Sequence, residues 1–302
     1  MTYEEIETFL MAVKTRNVTK TAEALFISQP TVSHRLKSLE EELGLHLLIR
    51  KKGYKQIELT PNGKAFLPVA ERWVSLWQDT RLLRYQDEKL DLIVGCTDTI
   101  NAVLFMDLYS SLLKEDDPSI RLKIKTHYSN ELYELLEKHE IDIGFVYHYL
   151  QFRNVVTEPI LRERMCYVER SEGKKKRGTS IQTDVLDLSM EVFFSWETNY
   201  QIWHDQWISQ GRQPLIQIDT YELLLHFMKE AGRWCIAPFS VAQRLSEQLS
   251  VEICAIDTPV LPPERTLYQI RHKFLSETKQ RALDVFETHL ENYLSTKSWN
   301  KY

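Results

Sequence analysis

The stretch Ala24–Gly44, ALFISQPTVSHRLKSLEEELG, decides the first part of the fold. It reads as a helix with a proline near its front, small or basic side chains on its leading exposed face, and glutamates only toward its rear. Ser28 suits the N-cap, where a hydroxyl accepts a first-turn N–H. Pro30 falls in the first turn, where a missing N–H costs nothing. With about 100° between successive residues, Val32, Leu36, Leu39 and Leu43 fall on one apolar stripe. The opposite face holds Pro30, Thr31, Ser33, His34, Lys37 and Ser38, with no carboxylate before Glu40. The helix dipole adds positive charge at the same end. Gly44 then stops the helix. A slim, non-acidic front suits entry into a DNA major groove, with the rear glutamates kept away from phosphate.

Two helices are expected upstream. Ile6, Phe9, Leu10 and Val13 recur at helical spacing, so a first amphipathic helix is expected from about Glu4 to Lys14. A short second helix, KTAEALF, is expected with Thr19 as its cap and Ala22, Leu25 and Phe26 turned inward. Downstream, Leu47–Arg50 and Gln56–Leu59 read as two short strands around the basic turn of Lys51, Lys52 and Gly53. This is a wing whose cations suit backbone phosphates. A long helix should follow over 60–88. Its residues Phe66, Val69, Trp73, Leu76, Thr80 and Leu83 make a heptad seam suited to a second copy of itself, with Pro68 marking a kink or a boundary.

The block TKTAEALFISQPTVSHRLKSLEEELGLHLLIR, followed by ELTPNGKAFL, closely resembles the LysR-type transcriptional regulators. The resemblance implies double-stranded DNA as a partner, bound at an interrupted inverted repeat by a homodimer or homotetramer. It places DNA contacts at Gln29, Pro30, Thr31, Ser33, His34, Lys37 and Arg50, with the wing lysines Lys51 and Lys52 on the backbone. His34 and Lys37 occupy variable positions of the pattern and so bear on which sequence is read. The domains expected are a winged helix–turn–helix at 1–60, a linker and dimerisation helix at 61–88, and an effector-binding domain at 89–302.

Beyond Lys89 the pattern alternates. LDLIVG, IRLKIKTH, IDIGFVYH, EVFFSW, LIQIDT, WCIAPFS and VEICAI read as strands, with helical stretches between most of them. Alternation implies an α/β architecture with mostly parallel sheets. The resemblance, weaker here, implies two α/β lobes with a small-molecule effector held between them. The first lobe would hold about 89–160 and 268–295, the second about 161–267. The whole fold class is then α/β with an N-terminal mainly-α winged helix–turn–helix, a long linker helix and a two-lobed effector domain.

Strand-to-helix turns offer N–H groups and hydroxyls to a ligand. The candidates are Thr97, Asp98 and Thr99 in GCTDTIN, Ser129 before NELYELLEK, Ser195 and Trp196 after a strand, and Thr220 before a helix. Tyr147 and Pro238 end strands toward the same cleft, and Thr99 matches the family's usual effector-contact position. Two residues depart from the family pattern. Asp98 sets a carboxylate beside the turn, which either disfavours acidic ligands in favour of cationic or hydroxylated ones, or serves as a solvent-exposed cap. Trp234 stands where a small residue is usual and either narrows the pocket or fills the lobe core.

Composition narrows the remaining classes. The chain has 302 residues, 43% hydrophobic and 27% charged, with net charge −5, as in an ordinary soluble protein. No apolar run approaches membrane length, and MTYEEIETFL carries no signal-peptide pattern, so a cytoplasmic protein is expected. Four dispersed cysteines, without CxxC, read as buried thiols. No HExxH, Walker or GxGxxG motif occurs, so no metal or cofactor is expected. Two alternatives stand beside the regulator: an α/β enzyme carrying a DNA-binding module, though no GxSxG occurs and Asp98, Cys166 and His148 share no motif, and a constitutive architectural DNA binder.

Overall fold

The computed structural model describes residues 1–50, 57–82, 89–114, 120–171 and 180–297. The chain divides at Glu88/Lys89 into two compact units, Met1–Glu88 and nearly all of Lys89–Tyr302.

The first unit is helical. Helix α1 (Tyr3–Thr15) opens with a capping box: the Glu5 N–H donates to the Thr2 hydroxyl, and the Thr2 N–H donates to the Glu5 carboxylate. Helix α2 (Val18–Leu25) is capped by Asn17, whose side chain accepts the Lys20 N–H, not by Thr19 as expected. Helix α3 (Gln29–Leu43) starts at Ser28, whose hydroxyl accepts the Thr31 N–H, and ends at Gly44 in the left-handed region. Its stripe Val32, Leu36 and Leu39 packs with Ile6, Phe9 and Ala22 into one core. Phe26 departs from expectation. It ends α2 with a left-handed backbone that turns its ring off the apolar stripe, leaving it 95% exposed.

Strands β1 (Leu48–Arg50) and β2 (Ile57–Leu59) pair antiparallel as the wing's stem; the turn itself, with Lys51 and Lys52, lies outside the described residues. Helix α4 (Pro61–Leu82) continues through Pro68. Its expected seam is divided. Phe66 and Trp73 pack on the unit's own core, Phe66 against Phe9 and Trp73 against Tyr3, whereas Val69 and Leu76 remain exposed. Leu83 lies outside the described residues.

The second unit carries two sheets and separate cores. Strands β3 (Leu90–Cys96), β4 (Ile120–Thr126) and β5 (Ile143–Val146) are parallel, and β13 (Arg265–His272) and β6 (Val155–Glu163) extend the sheet antiparallel in the order β4-β3-β5-β13-β6. A π-helical turn (Ile100–Phe105), α5 (Met106–Leu112) and α10 (Glu277–Thr296) cover one face through Phe105, Leu108, Leu283 and Phe286. Helix α6 (Ser129–Glu137) covers the other through Leu132, Tyr133 and Leu136.

The second lobe is built on β7 (Met165–Arg170), β8 (Ser180–Gln182), β11 (Trp234–Pro238) and β12 (Val251–Asp257), in the order β11-β7-β12-β8. Its central pairings are antiparallel, against the expectation of mostly parallel sheets. The reason is connectivity: β7 follows β6 directly and enters from the other lobe, with no crossover helix between them. A short parallel pair, β9 (Phe193–Phe194) with β10 (Gln217–Ile218), restores the α/β pattern beside α7 (Thr198–His204), α8 (Tyr221–Phe227) and α9 (Phe239–Gln248).

Gly63 sits against backbone in the N-terminal unit: a Cβ there would overlap the Leu47 carbonyl oxygen. That carbonyl accepts the Thr60 N–H as the wing's stem meets α4. Gly63→Ala is expected to destabilise this unit by about 1–3 kcal/mol, read as a lower denaturation midpoint. An unchanged midpoint would show that the Leu47 segment yields freely.

Candidate functional site

On the first unit, Gln29 and Pro30 open α3 exposed to solvent, followed by exposed His34 and Lys37 and by half-buried Thr31 and Ser33. The Thr31 hydroxyl lies 2.8 Å from Ser28 Oγ, so it helps close the cap. Lys37 pairs with Glu41 at 3.2 Å, but both side chains are mostly in water, and such a pair is weak enough to exchange for phosphate. Ser38 leaves the exposed face: its hydroxyl donates to Glu5 at 2.5 Å and ties α3 to α1. Glu40 is also occupied, accepting the Leu47 and Leu48 N–H groups at 2.7 and 3.0 Å. The front of α3 is thus left without a free carboxylate. Arg50 ends β1 opposite Ile57.

In the second unit a cavity of about 560 Å³ opens between the lobes. Its walls are the turns that follow β3, β4, β5, β9 and β10, the carboxyl ends where parallel strands leave N–H groups and side chains free for ligands. Thr97, Asp98, Thr99, Ser129, Tyr147, Ser195, Trp196 and Thr220 all line it. Trp234 and Pro238 do not. Trp234 is buried in the second core, donating its ring N–H to the Asp187 carbonyl at 2.8 Å, and Pro238, also buried, ends β11 just before α9. The alternation of β11 directs these side chains into their own lobe.

Several lining residues were not legible in the sequence. Arg265, at the start of the returning strand β13, carries its guanidinium 3.3 Å from the centre of the Tyr147 ring and 4.7 Å from that of Trp196. Its Nε donates to Glu197 at 3.1 Å, while Nη1 has no partner. Trp196 is held by a 2.8 Å bond from its ring N–H to the Ile236 carbonyl and by stacking on Phe194. Burial pushes the Tyr147 phenol up, partly offset by Arg265 and by a bond with Thr99. Ser129 Oγ accepts the Tyr147 N–H.

Across the cleft, Asp98 is neither a free anion nor a solvent-exposed cap. Its Oδ2 accepts the Tyr221 N–H at 2.7 Å, at the head of α8, where the expected cap Thr220 makes no side-chain bond. Tyr128 O–H donates to Asp219 Oδ2 at 3.1 Å. The lobes are therefore joined by two hydrogen bonds that involve carboxylates. Among the described residues no group of His, Cys, Asp and Glu could hold a metal, and no helix is long and apolar enough to cross a membrane.

Glu163 lies beside Arg265 in the β6–β13 register and is almost fully buried. Its Oε1 accepts the Ser240 N–H at 2.8 Å, and Oε2 has no partner. Burial raises its pKa above the ordinary 4.5. A raised carboxylate pKa means the folded state holds the proton more tightly. The stability it contributes is full below the unfolded value and falls as pH rises from there toward the folded value. Glu163→Gln keeps the acceptor and removes the charge. Its unfolding temperature is expected to gain on the wild type as pH rises above the ordinary carboxylate value of 4.5; parallel curves would refute the assignment.

Residues 3–64 match the bacterial regulatory helix-turn-helix proteins of the lysR family, and residues 86–291 match the LysR substrate binding domain. The regulator CysL of Bacillus subtilis (strain 168) is 30% identical over 169 residues, 55% of this chain and 56% of that protein. CitR of the same organism is 25% identical over 266 residues, 84% of this chain and 88% of that one. In fold, a full-length OxyR variant from Pseudomonas aeruginosa aligns with a TM-score of 0.63 at 21% identity, covering 100% of this chain and 97% of that one. CbnR complexed with its target DNA aligns at 0.50 and 20% identity, covering 97% and 99%. With its helix–turn–helix and its two-lobed cleft each matched by the corresponding family model, the chain belongs to the LysR family of bacterial regulators.

Proposed function

We propose that the protein is a DNA-binding transcription regulator, acting in the cytoplasm, whose operator binding or activation is modulated by a small molecule held between the lobes of its second unit. The observation that carries the DNA half is the front of α3: capped, slim, exposed and free of carboxylate. Gln29, Pro30, Thr31, Ser33, His34 and Lys37 are the residues assigned to the groove, and Arg50, Lys51 and Lys52 to flanking phosphates. The exposed Val69 and Leu76 on α4 supply an apolar strip for a second copy, and a dimer reads an inverted repeat through its own two-fold symmetry. The interlobe cavity, walled by strand-end turns, supports an effector site made of the lining residues above. No feature favours an enzyme over this reading.

Footprinting on the DNA upstream of its own gene tests it, with protection of an interrupted inverted repeat as the expected result. Ser33→Ala and His34→Ala are each expected to cost about 1–3 kcal/mol on operator DNA and little on random DNA. Lys51→Ala should weaken both and lower the salt slope by about 1. Equal losses on both DNAs for all three variants would refute the assignment of base and phosphate contacts.

A further inference from the structure

We infer that Phe26 is a DNA contact, its ring packing on an apolar edge of the duplex, a thymine methyl or the adjoining deoxyribose, at the rim of the groove that α3 enters. This rests on the DNA-binding reading and adds to it a residue outside α3 and the wing.

Phe26 breaks two local rules at once. Its backbone is left-handed, with φ 55°, in the turn that ends α2. There its own N–H donates to the Glu23 carbonyl at 3.2 Å, and the Ile27 N–H donates to the Ala22 carbonyl at 3.0 Å. This paired pattern is the Schellman turn, whose left-handed residue is usually glycine, sometimes asparagine, because a Cβ is crowded in that conformation. A bulky side chain there is an outlier. Among the described residues, the others of left-handed backbone that are not glycine, Arg16, His139 and Gln210, are all polar.

The ring gains no burial in exchange. Phe26 is 95% exposed, against 74% for Leu215, the next most exposed large apolar side chain among the described residues. A lone exposed apolar residue is ordinary on a protein surface. One that also holds a strained backbone, with no packing in return, points to a contact supplied from outside the chain. The neighbouring Ile27 does the anchoring: half-buried, it packs against the first unit's core. The turn is thereby fixed while the Phe26 ring stands in solvent.

The place of the turn names the partner. Phe26 lies two residues before Ser28, the N-cap of α3, and two residues of chain span no more than about 7 Å. Ser28, Gln29 and Pro30 are exposed along with it. The ring therefore stands beside the end of α3 that is directed at the groove, within reach of a duplex bound there. It has neither charge nor hydrogen-bonding group, so phosphates and polar base edges are not its targets. What DNA offers it is the methyl group of thymine, an apolar feature of the major groove that phenylalanine is suited to touch, or the C–H face of the sugar.

The test is a titration of the full-length protein and its Phe26→Gly and Phe26→Asn variants against the upstream DNA that the wild type protects and against random DNA. Both replacements suit a left-handed turn, so the denaturation midpoint is expected to hold or rise. Operator affinity is expected to fall by about five- to tenfold, with the salt slope unchanged because no phosphate contact is lost. Deoxyuridine placed for thymine, one position at a time, separates the two sources. At a methyl contact the wild type loses affinity and Phe26→Gly does not. A sugar contact leaves both proteins equally sensitive at every thymine and makes the loss on random DNA match that on the operator. Unchanged affinity on both DNAs overturns the assignment and leaves the DNA-binding reading standing, as does a change of subunit assembly alone, which gives the ring to a second copy. A lower midpoint in both variants places the ring's partner within the protein and overturns it too. Absence of any wild-type footprint removes the DNA-binding reading and this assignment with it.

Discussion

The antiparallel pairing of β6 with β13 is the constraint on which the second unit depends. These are the strands by which the chain leaves the first lobe and returns to it. Leu161 and Leu267 face each other across the pair and are buried in the first core. Two residues toward the other lobe stand Glu163 and Arg265, the one capping α9 and the other closing the cavity. The register slips between Leu267 and Tyr268, leaving Ile160 without a partner. A bulge of this kind bends and twists the pair locally. Anchored by Leu161 and Leu267 toward the first core and carrying Glu163 and Arg265 toward the second lobe, the same two strands both separate the cores and supply the cleft's cation.

That cation is unusual in how it is held. A guanidinium removed from water is costly unless paired and hydrogen-bonded. Here Glu197 supplies the pairing and the faces of Tyr147 and Trp196 replace part of the lost hydration. The arrangement keeps the plane of the Arg265 head fixed while leaving one donor unspent. A second buried pair, His204 with Glu191 at 2.6 Å, lies within the second lobe and does not line the interlobe cavity.

Much of the first unit was legible in the sequence because its determinants are local. Ser28, Pro30 and Gly44 act within one turn of where they stand, and the stripe of α3 follows from spacing alone. Local rules also explain the errors there: Asn17 outcompetes Thr19 as a cap two residues away, and a left-handed terminus reverses the facing of Phe26. In the second unit the turns of Thr97, Ser129, Ser195 and Thr220 were legible as strand ends. Arg265 was not, since in RTLYQI it reads as an ordinary strand-edge cation, and only the β6–β13 pairing brings it to Tyr147. Trp234 stayed open between pocket and lobe core for the same reason in reverse: a strand's alternation is visible, but which face meets the cleft depends on pairing with β7.

The bonds across the cleft bear on how occupancy could be sensed. Asp98 with the Tyr221 N–H and Tyr128 with Asp219 are both made between lobes; the part-buried bond to Asp98 contributes about 1.5–3 kcal/mol, and water competes for the exposed one at Tyr128. Closure held by contributions of that size lies within the range that one small ligand can shift. A ligand shifts such an equilibrium only by its difference in affinity for the two states. Because Asp98 and Asp219, which accept the interlobe bonds, also line the cavity, a molecule bound there meets the very groups that hold the lobes together.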